Sequence, residues 1–219
     1  MGYYVVLDLE MCKVPQNEKT RAVNLQQEII QIGAVLLNDS YEVIDEFNTY
    51  VKPQIGWVNA YISSLTGIKQ KDVEAAVPFE EALEQFVSWM PEDEVEIVSW
   101  SENDQKQLEI EMSYKNVSCP KMESLFQHWT DSQIIYAQKS DNDRRYSLEE
   151  ALIACDIETK GRAHDGFADA YNTGLLFAKM MKEPELIFNP YYENAKKEET
   201  EHLSCSLGDI FAGLNLSFG

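Results

Sequence analysis

Asp8 and Glu10 stand two residues apart in YYVVLDLE, where β-branched and aromatic residues lead straight into the two acids. Residues two apart on a strand point to one face, so this pair presents two carboxylates side by side at the end of a buried strand. Carboxylates held that close repel each other, and a hard divalent cation with oxygen ligands is the natural compensation. A third acid, Asp104, follows the apolar run Ile97–Trp100 at the start of the helical pattern SENDQKQL, with Glu102 a competing candidate beside it. The segment AHDGFADAYNTGLLF contributes His164 and Asp169. Five residues on a helix would set these two about 140° apart. His164 therefore shares a site with Asp169 only from the loop that precedes the helix. Histidine is the side chain suited to taking a proton near neutral pH. Four carboxylates gathered with one histidine call for about two divalent ions, the arrangement that serves in-line attack on a phosphate.

The elements that must position these residues follow from patterning. Tyr3–Glu10 reads as a central strand, Ile29–Leu37 as a second, and Tyr41–Val51 as a third beyond the turn Asn38-Asp39-Ser40. The second and third should form an antiparallel hairpin beside the first. Ala60–Leu65 reads as a short helix stopped by Gly67. In the helix Phe79–Met90 the apolar positions Phe79, Ala82, Leu83, Phe86, Val87 and Met90 repeat at three and four. Glu96–Trp100 is a fourth strand, Asn103–Met112 a helix, and residues 115–136 are mixed and receive no assignment. Ser147–Cys155 is a helix opened by Ser147 and Glu150 as a capping box, and Phe167–Met181 is the last strong helix. Strands, then helices, a further strand and helices again describe an α/β chain on a mixed sheet. The tryptophans Trp57, Trp89, Trp100 and Trp129 fall within apolar patterns and are expected in the core.

The order Asp8-Leu9-Glu10, Asp104, His164 and Asp169 resembles the DEDDh, or DnaQ-like, 3′–5′ exonucleases. EIIQIGAVLLN (28–38), YVKP (50–53), SLTGI (64–68), SWSENDQKQL (99–108) and HDGFADAYNT (164–173) are similar to one branch of them. That branch holds the enhanced-RNAi and histone-mRNA 3′ exonucleases and the sporulation inhibitor KapD. The resemblance implies a ribonuclease-H-like fold, a mixed sheet flanked by helices, over residues 1–183. It implies hydrolysis of single-stranded RNA or DNA from the 3′ end to nucleoside 5′-monophosphates with two divalent cations, Mg²⁺ or Mn²⁺. By that resemblance Asp8, Glu10 and Asp169 are ligands of the first metal, Asp8 also bridges to the second, and Asp104 holds the second through water. His164 resembles the general base, and Glu10 acts with it at the catalytic centre. Met11, Leu65 and Thr66 resemble positions that contact the terminal nucleotide. Tyrosine-type relatives carry Tyr at the position of Asp165, so the chain fits the histidine subtype. The alternative is a regulatory binding protein that keeps the fold and acts by partner contact. The intact set of acids with His164 argues against it, since a pure binder has no need of them.

Hydrophobic residues make up 44% of the 219 and charged residues 26%, ordinary proportions for a globular chain. No run approaches the roughly 18 apolar residues needed to cross a bilayer, so no membrane partner is expected. Cys12, Cys119, Cys155 and Cys205 form no CxxC, which suits reduced thiols and a cytoplasmic location, as does a start without a basic leader. Residues 184–219 form a second region, with a polar linker (193–202) and an apolar tail. Leu203, Leu207, Ile210, Phe211 and Leu214 have helical spacing there, suited to packing back on the domain or docking into a protein partner's groove.

The net charge is −20, and residues 74–112 hold twelve acids against the single base Lys106. The nearest cations to the candidate site, Arg144, Arg145, Lys160 and Arg162, are interleaved with acids. A long phosphate backbone finds little attraction on such a surface, so the expected partner is a short single-stranded 3′ end held by its last few nucleotides. Binding of single-stranded oligonucleotides, titrated across salt, should show a shallow log–log slope, because few counterions are released, and digestion should be distributive. A steep slope or processive digestion of a long strand would contradict this.

Overall fold

The computed structural model describes residues 2–141 and 144–191. In chain order the elements are β1 (Tyr3–Lys13), α1 (Glu18–Ala22), β2 (Gln27–Leu37), β3 (Val43–Lys52), α2 (Ala60–Thr66), α3 (Gln70–Glu74), β4 (Val77–Pro78), α4 (Phe79–Trp89), β5 (Val95–Ser99), α5 (Asn103–Lys115), α6 (Pro120–Leu125), β6 (Trp129–Asp131), α7 (Ser132–Lys139), α8 (Leu148–Ala154) and α9 (Gly166–Lys182). The strands form one mixed sheet in the order β4-β3-β2-β1-β5-β6. β1 pairs antiparallel with β2 and parallel with β5, and β2 and β3 form the expected hairpin.

Alternation along the central strands sorts the apolar side chains into two layers. Val5, Leu7 and Leu9 of β1 join Ile32, Ala34 and Leu36 of β2 against Leu83 and Phe86 of α4 and Leu108 and Met112 of α5. On the opposite face Val6, Val35, Leu37 and Val98 pack against Tyr136, Leu152, Leu176, Phe177 and Met180 of the later helices. A third cluster, Cys12, Ile30, Val58, Ile62, Ile68 and Val73, seats α2 and α3 near the end of β1. No described helix is long and apolar enough to cross a membrane, and the described cysteines are free thiols.

The α9 face changes character along β1. Val6 is apolar, but the next residues on that face are Asp8 and Glu10, with Gly33 and Gln31 opposite them on β2. Gly33 has a reason in space: a Cβ there would lie 2.2 Å from the backbone of Gly166 and of Phe167. The first turn of α9 thus rests directly on the β2 backbone.

Several features depart from the sequence-based expectation. β1 continues past Glu10 to Lys13 with a register shift between Glu10 and Met11, so Glu10 is not at a solvated strand end but 8% exposed. The unassigned stretch 115–136 contains α6, β6 and most of α7, pieces too short to show a period. Trp57 is 49% exposed and bridges to Lys13 instead of entering the core. Trp100 is buried, and Trp89 and Trp129 are half-buried. Packing also runs past Glu183: Leu186 is buried, the Phe188 ring lies 6.2 Å from that of Tyr136, and the Asn189 N–H donates to the Ala154 carbonyl at 2.7 Å. The tail positions Leu203 to Leu214 lie outside the described residues.

Replacing Gly33 with alanine tests the backbone contact. The methyl group must push α9 away from β2, and overpacking against backbone should cost about 3 kcal/mol in unfolding free energy by denaturant titration. Gly2→Ala, where nothing lies within 4 Å, is the control that should change nothing.

Candidate active site

Asp8 and Glu10 stand at the middle and in the second half of β1, on the face covered by α9. Asp104 arrives from the other side of the sheet edge, in the first turn of α5. It is 7% exposed, and its Oδ1 accepts the backbone N–H of Leu9 at 3.2 Å, which fastens the start of α5 between the two β1 acids. Glu102, the competing candidate, turns away and pairs with Lys106. Asp169 sits in the first turn of α9. Its Oδ2 accepts the backbone N–H of His164 at 2.8 Å. His164 is exposed on the loop before α9, with φ +61°, as sharing a site with Asp169 requires. Ligand atoms of Glu10, His164 and Asp169 all lie within 4.8 Å of one another.

Gln31 went unread in the sequence. It is fully buried opposite Glu10; its Oε1 accepts the Gly166 N–H at 3.0 Å and its Nε2 donates to Asn48 Oδ1 at 3.0 Å. The amide therefore satisfies the N-terminal end of α9 and holds it against the sheet. A lone glutamine inside the apolar strand Ile29–Leu37 was the available signal, since a buried amide must find partners.

The nucleotide-contact positions fare differently. Met11 is half-buried immediately beyond Glu10, and Leu65 is half-buried on α2. Thr66 is 3% exposed, and its hydroxyl donates to the Ile62 carbonyl at 2.9 Å and accepts from the Ile68 N–H at 3.1 Å. The Thr66 hydroxyl thus closes the end of α2. Tyr61, one turn before Leu65 on α2, is 67% exposed.

Electrostatics at the site is dominated by burial without compensation. Burial, together with Asp169, Asp104 and Asp165, pushes Glu10 up to about 8. Burial raises Asp104 to about 7, with Asp131 adding to the rise and the Leu9 N–H opposing it. Asp8 is raised well above the usual range by burial and by Asp104, Asp169 and Glu10. Burial and Asp165 raise Asp169, against the pull of His164. The residues thus fit divalent cations: hard oxygen donors, crowded, and without a positive partner among their shift-determining neighbours save His164.

A pH dependence follows. A carboxyl whose folded pKa lies above its unfolded value binds more protons in the folded state, so stability falls as pH rises between the two values. Glu10 and Asp104 set that window from about 4 to about 8. The melting temperature of the metal-free protein should fall across it, and Mg²⁺ or Mn²⁺ should restore it at the alkaline end. Asp8→Asn should flatten the pH profile and shrink the metal-induced rise; a variant with an unchanged metal response would refute the assignment.

Comparison with known proteins now completes the picture. The exonuclease (RNase_T) family matches residues 5–177. ERI1 exoribonuclease 2 of Homo sapiens is 34% identical over 181 residues, covering 72% of this chain and 26% of the relative; that of Danio rerio is 33% identical over 180 residues, covering 72% and 32%. The chain thus spans about a third or less of the length of those relatives. The 3′–5′ exonuclease Snipper of Drosophila melanogaster is 29% identical, covering 74% of this chain and 63% of the relative. Among solved structures, the nuclease domain of 3′hExo, a DEDDh family member bound to rAMP, superposes with a TM-score of 0.71 at 25% identity, covering 85% of this chain and 96% of that domain. With that fold, that match and these acids in that order, the chain belongs to the exonuclease (RNase_T) family and to its DEDDh group.

Proposed function

We propose that this chain removes nucleoside 5′-monophosphates one at a time from the 3′ end of short single-stranded RNA. The carrying observation is the convergence of Glu10, His164 and Asp169, with Asp8 and Asp104 beside them, at the second half of β1. RNA is favoured because the relatives include exoribonucleases and the 3′hExo nuclease domain was solved with rAMP. A role in partner binding alone gains no support from the site.

Asp8, Glu10, Asp169 and Asp104 would hold two divalent cations, Mg²⁺ or Mn²⁺. When bound, these supply the positive charge that offsets the negative charge developing on the reacting phosphate. The exposed imidazole of His164 takes a proton from the attacking water. The water oxygen bonds to phosphorus as the bond from phosphorus to the 3′ oxygen breaks; the leaving oxygen takes a proton from solvent, giving a shortened chain with a 3′ hydroxyl and a free nucleoside 5′-monophosphate. Asp169 serves twice, as a ligand and as the acceptor that fixes the His164 backbone. Met11, Leu65 and Tyr61 supply apolar and aromatic surface for the terminal base, which can be stacked without sequence readout.

The test uses a 5′-labelled RNA decamer with Mg²⁺ or Mn²⁺. The wild type should give a ladder shortening from the 3′ end. His164→Ala should lose roughly 10²- to 10⁴-fold in turnover while its metal-induced thermal shift persists. Asp8→Asn should lose both. A wild type inert with every metal, or a His164→Ala variant at near normal turnover, would reject the proposal.

A further inference from the structure

We propose that Arg162 is a positioning residue that couples α2, which presents Leu65 and Tyr61, to the loop that carries His164. The inference rests on the exonuclease reading and assigns a role to a residue outside the acid set.

The loop between α8 and α9 has little core to hold it. Residues 161–164 are all exposed, and Asp156, Gly161 and His164 take positive φ values of 55°, 72° and 61°. Left-handed backbone at a non-glycine residue persists only when its surroundings enforce it. Two anchors tie the loop to α9. At Lys160 the Asn172 side chain accepts the backbone N–H at 2.8 Å and donates to the carbonyl at 3.0 Å. At His164 the anchor is Asp169.

Between these anchors Arg162 reaches to a different element. Its Nη2 donates to the carbonyl of Ser64 and to that of Leu65, the latter at 3.1 Å. These carbonyls belong to the last turn of α2, where the helix has run out of its own N–H donors. Gly67, which ends α2 with φ +81°, leaves the room required: a Cβ there would lie 2.7 Å from Arg162 Nη1. The guanidinium therefore lies against bare backbone, and one nitrogen, Nη2, bridges the two carbonyls.

The consequence concerns alignment. The surface offered to the terminal base and the group that takes the proton stand on elements separated by nearly a hundred residues of chain. Arg162 sets one against the other two residues before His164. A misplacement of about 1 Å between bound substrate and a reacting group can cost roughly 100-fold in rate. Loss of Arg162 should consequently appear in kcat more than in KM, and should not depend on nucleotides upstream of the last one.

Two substrates test this with Mn²⁺ present: an RNA decamer, and the 4-nitrophenyl ester of uridine 5′-monophosphate, which has one phosphate and no upstream backbone. Arg162→Ala should lower kcat roughly 10- to 100-fold on both. Its KM should stay within about threefold, the sign of an interaction that acts in the transition state. Gly67→Ala, which displaces the guanidinium without removing its charge, should show the same split, and Arg162→Lys, whose ammonium can also donate to two carbonyls, should recover much of the loss. Both alanine variants should keep the wild-type metal-induced thermal shift. A loss confined to the decamer would make Arg162 a clamp on an upstream phosphate and overturn the proposal. A change in KM alone or a lost metal response would overturn it as well. Unchanged Arg162→Ala rates beside an active wild type would reject the coupling alone, whereas a wild type inert on both substrates would reject the exonuclease reading and the coupling with it.

Discussion

At Gly33 the backbone of β2 meets the backbone of α9 with no side chain between them, and the rest of the site is arranged around that contact. A Cβ at 33 would lie 2.2 Å from Gly166 and Phe167, so the first turn of α9 can sit here only because Gly33 lacks a side chain. Gln31, two residues earlier on the same face, receives the Gly166 N–H and fixes the helix start. Asp169 then falls beside Glu10, and the loop before the helix brings His164 to the same place. The positive end of the α9 macrodipole also faces the acids, a modest favourable term against their mutual repulsion.

Two acids, Glu28 and Glu111, are buried around Lys115 away from the site; burial still raises Glu111, but Glu28 behaves differently. At the beginning of β2, Glu28 is fully buried, yet Lys115 lies 2.9 Å away and the N–H groups of Gln54, Ile55 and Gly56 donate to it at 2.5–2.9 Å. Burial opposes its ionisation, but Lys115 and those donors outweigh it and hold Glu28 below the usual carboxylate range. A few residues away Asp8, Glu10 and Asp104 have no lysine or arginine among their governing neighbours, and all are raised. The contrast lies in partners: Glu28 and Glu111 share Lys115, whereas among the described residues the fold supplies the site acids with no such cation. The two packed layers on either side of the sheet tolerate that repulsion.

Charge elsewhere limits what can approach. The acid-rich stretch 74–112 includes α4, β5 and most of α5, so one flank of the molecule repels phosphate while the acid cluster itself needs cations before any phosphate can enter. Cation binding and substrate binding are thus linked through one set of carboxylates. The exposed surface of α2 offers contacts that do not depend on charge, with Tyr61 and Leu65 one turn apart.

Asp8, Glu10, Asp104, His164 and Asp169 were legible from residue type, spacing and order, because strand alternation and the helical period are local properties that the chain carries with it. The same locality made the long elements readable: the β2–β3 hairpin, α4, α5, and α8 with its Ser147–Glu150 box. It also implied that His164 must precede its helix. What remained hidden was decided between segments distant in sequence. Gln31 meets Gly166 across 135 residues, and Arg162 meets Leu65 across 97. The hydroxyl of Thr66 is enclosed by the turn after α2, and Trp57 looked like core until its strand-edge bridge left it in solvent. Alternation and helical period determine which side of an element a residue occupies. Only the packing of one element on another determines what it meets there, because that depends on backbone approach distances, such as the one at Gly33, that no local pattern encodes.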